Sequence, residues 1–253
     1  MKRTAERHHN FSSSAIHMLM SNGRAKDSIG KPYFTYVKQK IREIRLGKPL
    51  DKEQHAYATL WGHFAERYAF NKLGLEYHLQ SKVRYLHDDL SWSGAPDLIT
   101  KDKVGDIKCP WTLNAYTELV DNLTECKPDE IADVLKKEHT SYYWQLISNA
   151  ILTGKDVCEL IIYCPYEEDL MKMQFDISSA ALDQFDEEDM YKYKFIYDKT
   201  PDELPCLKKG LYYKDLYTFT FTASEEDKIA LFERVKKADK ALKEATQRTQ
   251  KAI

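Results

Sequence analysis

Two short β-like runs, Pro96–Ile99 and Val104–Cys109, are joined by little more than Lys101-Asp102-Lys103. A polar connection that tight pairs adjacent runs antiparallel, as a hairpin. The other elements must be compatible with it. Apolar Phe34, Val37, Ile41 and Ile44 recur at helical spacing until Gly47-Lys48-Pro49. A second helix, capped by Asp51, carries Leu60, Trp61, Phe64, Ala65 and Tyr68 and closes at Leu73-Gly74. Before both, Ser12-Ser13-Ser14 caps a short helix from Ala15 to Met20.

Val83-Arg84-Tyr85 alternates like a strand ahead of the hairpin. A helix over Tyr142–Leu152 follows, ending at Thr153-Gly154, and Val157–Tyr163 reads as a strongly apolar strand. Leu170–Phe175 alternates like a neighbouring strand, and Leu216–Phe221 supplies another. Ser224 then caps a charged helix towards Gln250. This order predicts one α/β domain, a mixed central β-sheet flanked by α-helices, with 177–214 as an insertion decorating the sheet edge. At 253 residues, 43% hydrophobic and 31% charged, the chain has the balance of a globular protein, which excludes a disordered or collagen-like one.

No apolar run approaches the ~20 residues needed to cross a bilayer. His8-His9-Asn10 also stands where a signal peptide would be apolar, so a cytoplasmic protein is expected. Five cysteines without a CxxC pair argue against a disulfide frame, a zinc knuckle or an iron–sulfur cluster. Charge is uneven. Residues 1–50 carry 11 Lys/Arg against 3 Asp/Glu, whereas Glu167–Asp189 holds nine acids and one base. Such a division suits guiding a polyanion to one face, and equally two solvated faces that differ.

The hairpin holds the chemistry. Asp106 and Lys108 point to one side of their strand and Ile107 to the other, and Asp97 can sit across from Asp106. Two close carboxylates repel unless a cation keeps both ionised. Hard Mg²⁺ seeks such oxygens, and a neighbouring lysine can orient or deprotonate an attacking water. These are the needs of metal-dependent phosphodiester hydrolysis. The pieces recur singly, in Glu125-Cys126-Lys127, Glu226-Asp227-Lys228, Pro128-Asp129 and Pro201-Asp202, so a surface hairpin with ordinary ion pairs is the competing explanation.

Ser93-Gly94-Ala95-Pro96-Asp97 followed by Gly105-Asp106-Ile107-Lys108-Cys109-Pro110-Trp111 resembles the PD-(D/E)xK core of the phage lambda exonuclease and YqaJ viral recombinase family. Trp61-Gly62-His63-Phe64-Ala65-Glu66 resembles that family's W-G-x-x-x-E helix, and Tyr142-Tyr143-Trp144-Gln145 its Y-x-x-Q helix. The motifs occur in the family's order, and the resemblance runs from about Arg7 to Leu160 and resumes at the last strand and helix.

The resemblance implies a restriction-endonuclease-like fold in a single exonuclease domain spanning 1–253. It implies that Asp97, Asp106, the Ile107 carbonyl and Glu66 hold Mg²⁺, with Mn²⁺ able to substitute. Lys108 would position the nucleophile, with Gln145 beside it. Arg7 and Ser14 would bind the 5′-phosphate of a DNA end, as an arginine and helix amides can. Two positions depart from the family: Ala95 where it can place a serine, and Asn114 where it can place a basic residue. Both bear on end preference. Trp92 and Trp111 bracket the hairpin; they fit core aromatics better than a wedge between DNA strands.

The implied activity is Mg²⁺-dependent degradation of linear double-stranded DNA from its ends, 5′→3′, giving 3′ single strands for recombination. The implied assembly is a homotrimer on double-stranded DNA ends, with a single-strand annealing protein as partner and no membrane. The rivals are a RecB-type or restriction-like nuclease acting on single strands or internally, and a catalytically inactive DNA-end-binding module.

Overall fold

A computed structural model describes residues 9–25, 28–50, 56–80, 83–178 and 187–250. The short strand β1 (Phe11–Ser12) leads into a 3₁₀ helix at Ser13–Met18, with Ser12 at its N-cap. Helix α1 (Lys31–Leu46) starts at Gly30-Lys31-Pro32 and ends at Gly47, whose φ of 67° lies in the left-handed region glycine adopts freely. Its buried stripe runs through Tyr33, Tyr36, Val37 and Lys40, while Phe34 is 50% exposed. The stripe is thus rotated from the expected one. Helix α2 (Tyr57–Phe70) stops before Leu73-Gly74, and the Asp51 cap lies outside the described residues.

The hairpin is present. Strands β5 (Leu98–Ile99) and β6 (Lys103–Lys108) pair antiparallel, with Leu98 opposite Gly105 and Ile99 opposite Val104. Thr100 closes the turn, its N–H donating to the Lys103 carbonyl at 3.0 Å. Its hydroxyl accepts from the Asp102 and Lys103 amides. Strand β2 (His78–Leu79) adds to β5 at one edge. The alternation at Val83-Arg84-Tyr85 becomes β3 (Tyr85–Leu86), which pairs with β4 (Trp92–Gly94).

Two helices absent from the sequence reading come next, α3 (Leu113–Thr124) and α4 (Ile131–Glu138). Helix α5 (Thr140–Thr153) ends at Gly154, and β7 (Val157–Tyr163) follows. The expected strand at Leu170–Phe175 is instead helix α6 (Glu167–Ser178). Leu170 and Met173 are buried while Met171 and Phe175 are exposed, a helical rather than an alternating pattern. Glu167, Glu168 and Asp169 in the first turn complement the helix dipole. Helix α7 (Glu187–Tyr197) falls within 177–214 and packs on α2, with Tyr193 tilted 5.0 Å from Phe64. That part of the segment therefore covers a helix rather than the sheet edge. Strand β8 (Leu216–Thr222) and helix α8 (Glu225–Gln250) complete the order.

The described strands form a five-stranded mixed sheet, β2-β5-β6-β7-β8, and a three-stranded one, β1-β4-β3. Only β6–β7 is parallel in the larger sheet. Alternation sorts its side chains into two cores. Val104, Leu160 and Ile162 join α5, α1 and α8 on one side. Ile107, Ile161 and Tyr163 join Trp61, Phe64 and Ala65 of α2 on the other. Burying Ile107 stabilises by roughly 1.5–3 kcal/mol and fixes which way its two neighbours face. Among the described residues no helix is long and apolar enough to cross a membrane.

Candidate active site

Because Ile107 is held by the α2 core, Asp106 and Lys108 turn to the opposite face, where α5 lies. One residue before the Leu98–Gly105 pair, Asp97 Oδ2 accepts the Ile107 N–H at 2.7 Å. Gln145 of α5 bridges the other two groups: its Nε2 donates to Asp106 Oδ1 at 2.6 Å, and its Oε1 accepts from Lys108 Nζ at 3.2 Å. Lys108 Nζ is also ion-paired with Asp106 Oδ2 and stands 5.0 Å over the Tyr142 ring. The ring of His139 stacks on Tyr142 from 6.1 Å, 9° from parallel. Strands β5 and β6 and helix α5 thus converge on one acidic centre, and Glu66 of α2 is near enough to feel the Asp106 charge.

Three carboxylates share one ammonium there. Burial, then the Asp106 charge, pushes Glu66 up to about 7. Burial, then Asp106 and Glu66, pushes Asp97 well above the ordinary carboxylate range. For Lys108, burial disfavours the charge, but Asp106 and Asp97 outweigh it and hold the ammonium above the usual lysine value. Burial, with Glu66 and Asp97 nearby, raises the Cys109 thiol and keeps it protonated.

A hard divalent cation fits this oxygen-only, under-neutralised set. As the side chains stand, however, no three of the metal-ligating type converge on a common point among the described residues. Lys108 already occupies one Asp106 oxygen.

Glu66 gives a thermodynamic test. Its folded pKa lies above the ordinary glutamate value of 4.5, so its contribution to stability is fully present below about 4.5 and lost as pH rises through about 7. Glu66→Gln is expected to raise the metal-free melting temperature at pH 8 by about 3–6 °C, from roughly 1–2 kcal/mol of relieved repulsion. The gain shrinks at pH 5, where the folded carboxyl is already protonated. Equal shifts at both pH values, read by thermal melts in EDTA, would place Glu66 outside the cluster.

Other expected residues lie apart or elsewhere. Ser14 is exposed, its hydroxyl 3.2 Å from that of Ser12, and Arg7 lies outside the described residues. Ser13 meets Ser148 of α5 at 2.7 Å, so one helix touches both the serine segment and the acidic centre. Trp92 is fully buried with its indole N–H on Ser148 Oγ at 2.9 Å, a core residue. Trp111 is half-buried and packs edge-on against Trp61 and Phe195. The Tyr142 ring over Lys108 is a support that the sequence reading did not assign.

Among solved structures, the fold matches an alkaline exonuclease, LHK-Exo, from Laribacter hongkongensis. The TM-score is 0.57 at 14% identity, over 97% of this chain and 94% of that one. The same enzyme in complex with dAMP scores 0.56 over the same shares. A phage related exonuclease from Haemophilus somnus 129PT reaches 0.61 at 14% identity, over 95% of this chain and 96% of that one. The chain shares its fold with these proteins. No family model matches the sequence, and no curated protein does. The likeness is therefore one of fold, and the fold is the mixed α/β one expected from the sequence.

Proposed function

We propose that this chain is a Mg²⁺-dependent deoxyribonuclease that degrades linear double-stranded DNA from its ends, 5′→3′, leaving 3′ single strands for recombination. The observation that carries the reading is the hydrogen-bonded set of Asp97, Asp106, Lys108 and Gln145 at the end of β6, with Glu66 close enough to feel the Asp106 charge. That neighbours of the same fold are an alkaline exonuclease and a phage related exonuclease supports it.

Asp97, Asp106, the Ile107 carbonyl and Glu66 are the groups that would hold the cation. When bound, it neutralises the phosphate charge and acidifies the attacking water. Lys108 orients that water. Gln145 Oε1 and the Tyr142 ring hold its ammonium in addition to the Asp106 ion pair. Gln145 in turn fixes the rotamer of Asp106. Burial of the centre strengthens each of these charge interactions.

Arg7 and Ser14 are the proposed 5′-phosphate contacts. Replacing Arg7 with Ala is expected to narrow the rate difference between 5′-phosphorylated and 5′-hydroxyl duplexes severalfold; an unchanged ratio rejects that role. The assembly we propose is a homotrimer around DNA, in the cytoplasm. A single-strand annealing protein is the partner, with 177–214 as its docking surface.

A time course on end-labelled linear duplex, with and without Mg²⁺ and with a closed circular control, tests the reading. Release of nucleotides from linear DNA only with Mg²⁺, sparing the circle, is expected. Cleavage of the circle favours a restriction-like enzyme, and end binding without hydrolysis favours a non-catalytic module.

A further inference from the structure

Helix α8, with Ile29, lines a groove of about 880 Å³ that contains none of the acidic centre's residues. The groove borders the segment before β4, where Asp239 Oδ1 accepts the Ser91 N–H and Lys243 Nζ donates to the Asp89 carbonyl. Five cations line the groove: Arg234, Lys236, Lys237, Lys240 and Lys243. Their charges are only partly answered. Lys243 pairs with Asp239 at 2.7 Å and Lys236 reaches Glu233 at 3.5 Å. Arg234 donates to Asn22 Oδ1 at 2.9 Å and keeps Nη1 buried without a partner. Lys237 and Lys240 are exposed and have no ion pair among the described residues.

Lys236, Lys240 and Lys243 follow one another at i, i+4 and i+7, a stripe about 10 Å long at 1.5 Å per residue. The apolar lining is only Ile29 and Ala230, with no aromatic anchor of the kind a protein partner would fill. Nor is there an aromatic ring to stack a base. What remains is five cations against three carboxylates, Glu233, Asp239 and Glu244, a net positive lining that suits a phosphate backbone regardless of sequence.

We propose that this groove binds single-stranded nucleic acid through its phosphates. The strand would be the one left by degradation of the other, and in that identity the inference rests on the proposed nuclease function. Binding itself does not, because it needs neither the carboxylates nor a cation.

The test is anisotropy of fluorescein-labelled dT20 in EDTA, titrated with NaCl, for the full chain and for its Lys236→Gln/Lys237→Gln/Lys240→Gln variant. At about 0.7 per phosphate contact, the slope of log K against log salt is expected to become shallower by about 2. Affinity at low salt should fall at least tenfold while the melting temperature stays within a few degrees. An unchanged slope overturns the proposal, as does a change seen only with duplex of equal length. Displacement of dT20 by polyglutamate as readily as by unlabelled dT20 also overturns it, pointing to an acidic protein instead. If the wild-type chain releases no nucleotides from linear duplex yet the slope still changes, the nuclease reading fails and the groove stands.

Discussion

Asp106→Asn is expected to lower hydrolysis of linear duplex DNA by about 10³-fold or more, the several kcal/mol that a lost cation site represents at about 1.4 kcal/mol per tenfold. The fold should survive. Asn has nearly the same shape, and the cluster holds three carboxylates against one ammonium, so removing a negative charge relieves repulsion on Asp97 and Glu66. The Lys108 ammonium keeps Gln145 Oε1 and the Tyr142 ring. Loss of rate with an unchanged or higher melting temperature is thus the signature. An active variant would remove Asp106 from the chemistry.

Lys108→Ala is expected to reduce turnover by about 10²–10⁴-fold, the usual range for a positioned proton-transfer or water-orienting group. Its DNA affinity should change far less. Because Lys108 Nζ sits on Asp106 Oδ2, its removal also frees that oxygen, so divalent-cation affinity should be retained or rise. The two variants therefore separate: Asp106→Asn loses cation and rate together, Lys108→Ala loses rate alone. Equal loss of binding and single-turnover rate in Lys108→Ala would reassign the lysine to phosphate binding.

The centre was readable because a hairpin is local. Two runs separated by a few polar residues fix their own pairing, and the alternation of Asp106, Ile107 and Lys108 then fixes which side chains share a face. Glu66 and Gln145 came only through motif resemblance, since nothing local says which helices pack against which strand. The Tyr142 ring over Lys108 is hidden in the sequence for the same reason: the contact links α5 to β6 across 34 positions of chain.

Where the sequence misled, period was the cause. Apolar residues at 170, 171, 173 and 175 satisfy an alternating pattern as well as a helical one, and the acidic first turn of α6 was the cue that favours the helix. Helix α3 could have been found. Tyr116, Leu119, Val120 and Leu123 are spaced i, i+3, i+4 and i+7, and Thr112 caps the helix by accepting the Ala115 N–H at 3.2 Å. In α1 the polar Lys40 and Glu43 are buried as a mutual ion pair at 2.7 Å, which apolar spacing cannot reveal.

Titration of Mn²⁺ into the metal-free protein, followed by the electron paramagnetic resonance signal of the free ion, probes the acidic centre without DNA. Wild type is expected to take up Mn²⁺ above pH 7, where Glu66 ionises, and an Asp97→Asn/Asp106→Asn variant to take up none at the same site. Uptake by the double variant equal to that of wild type would mean that these strands do not cage a cation.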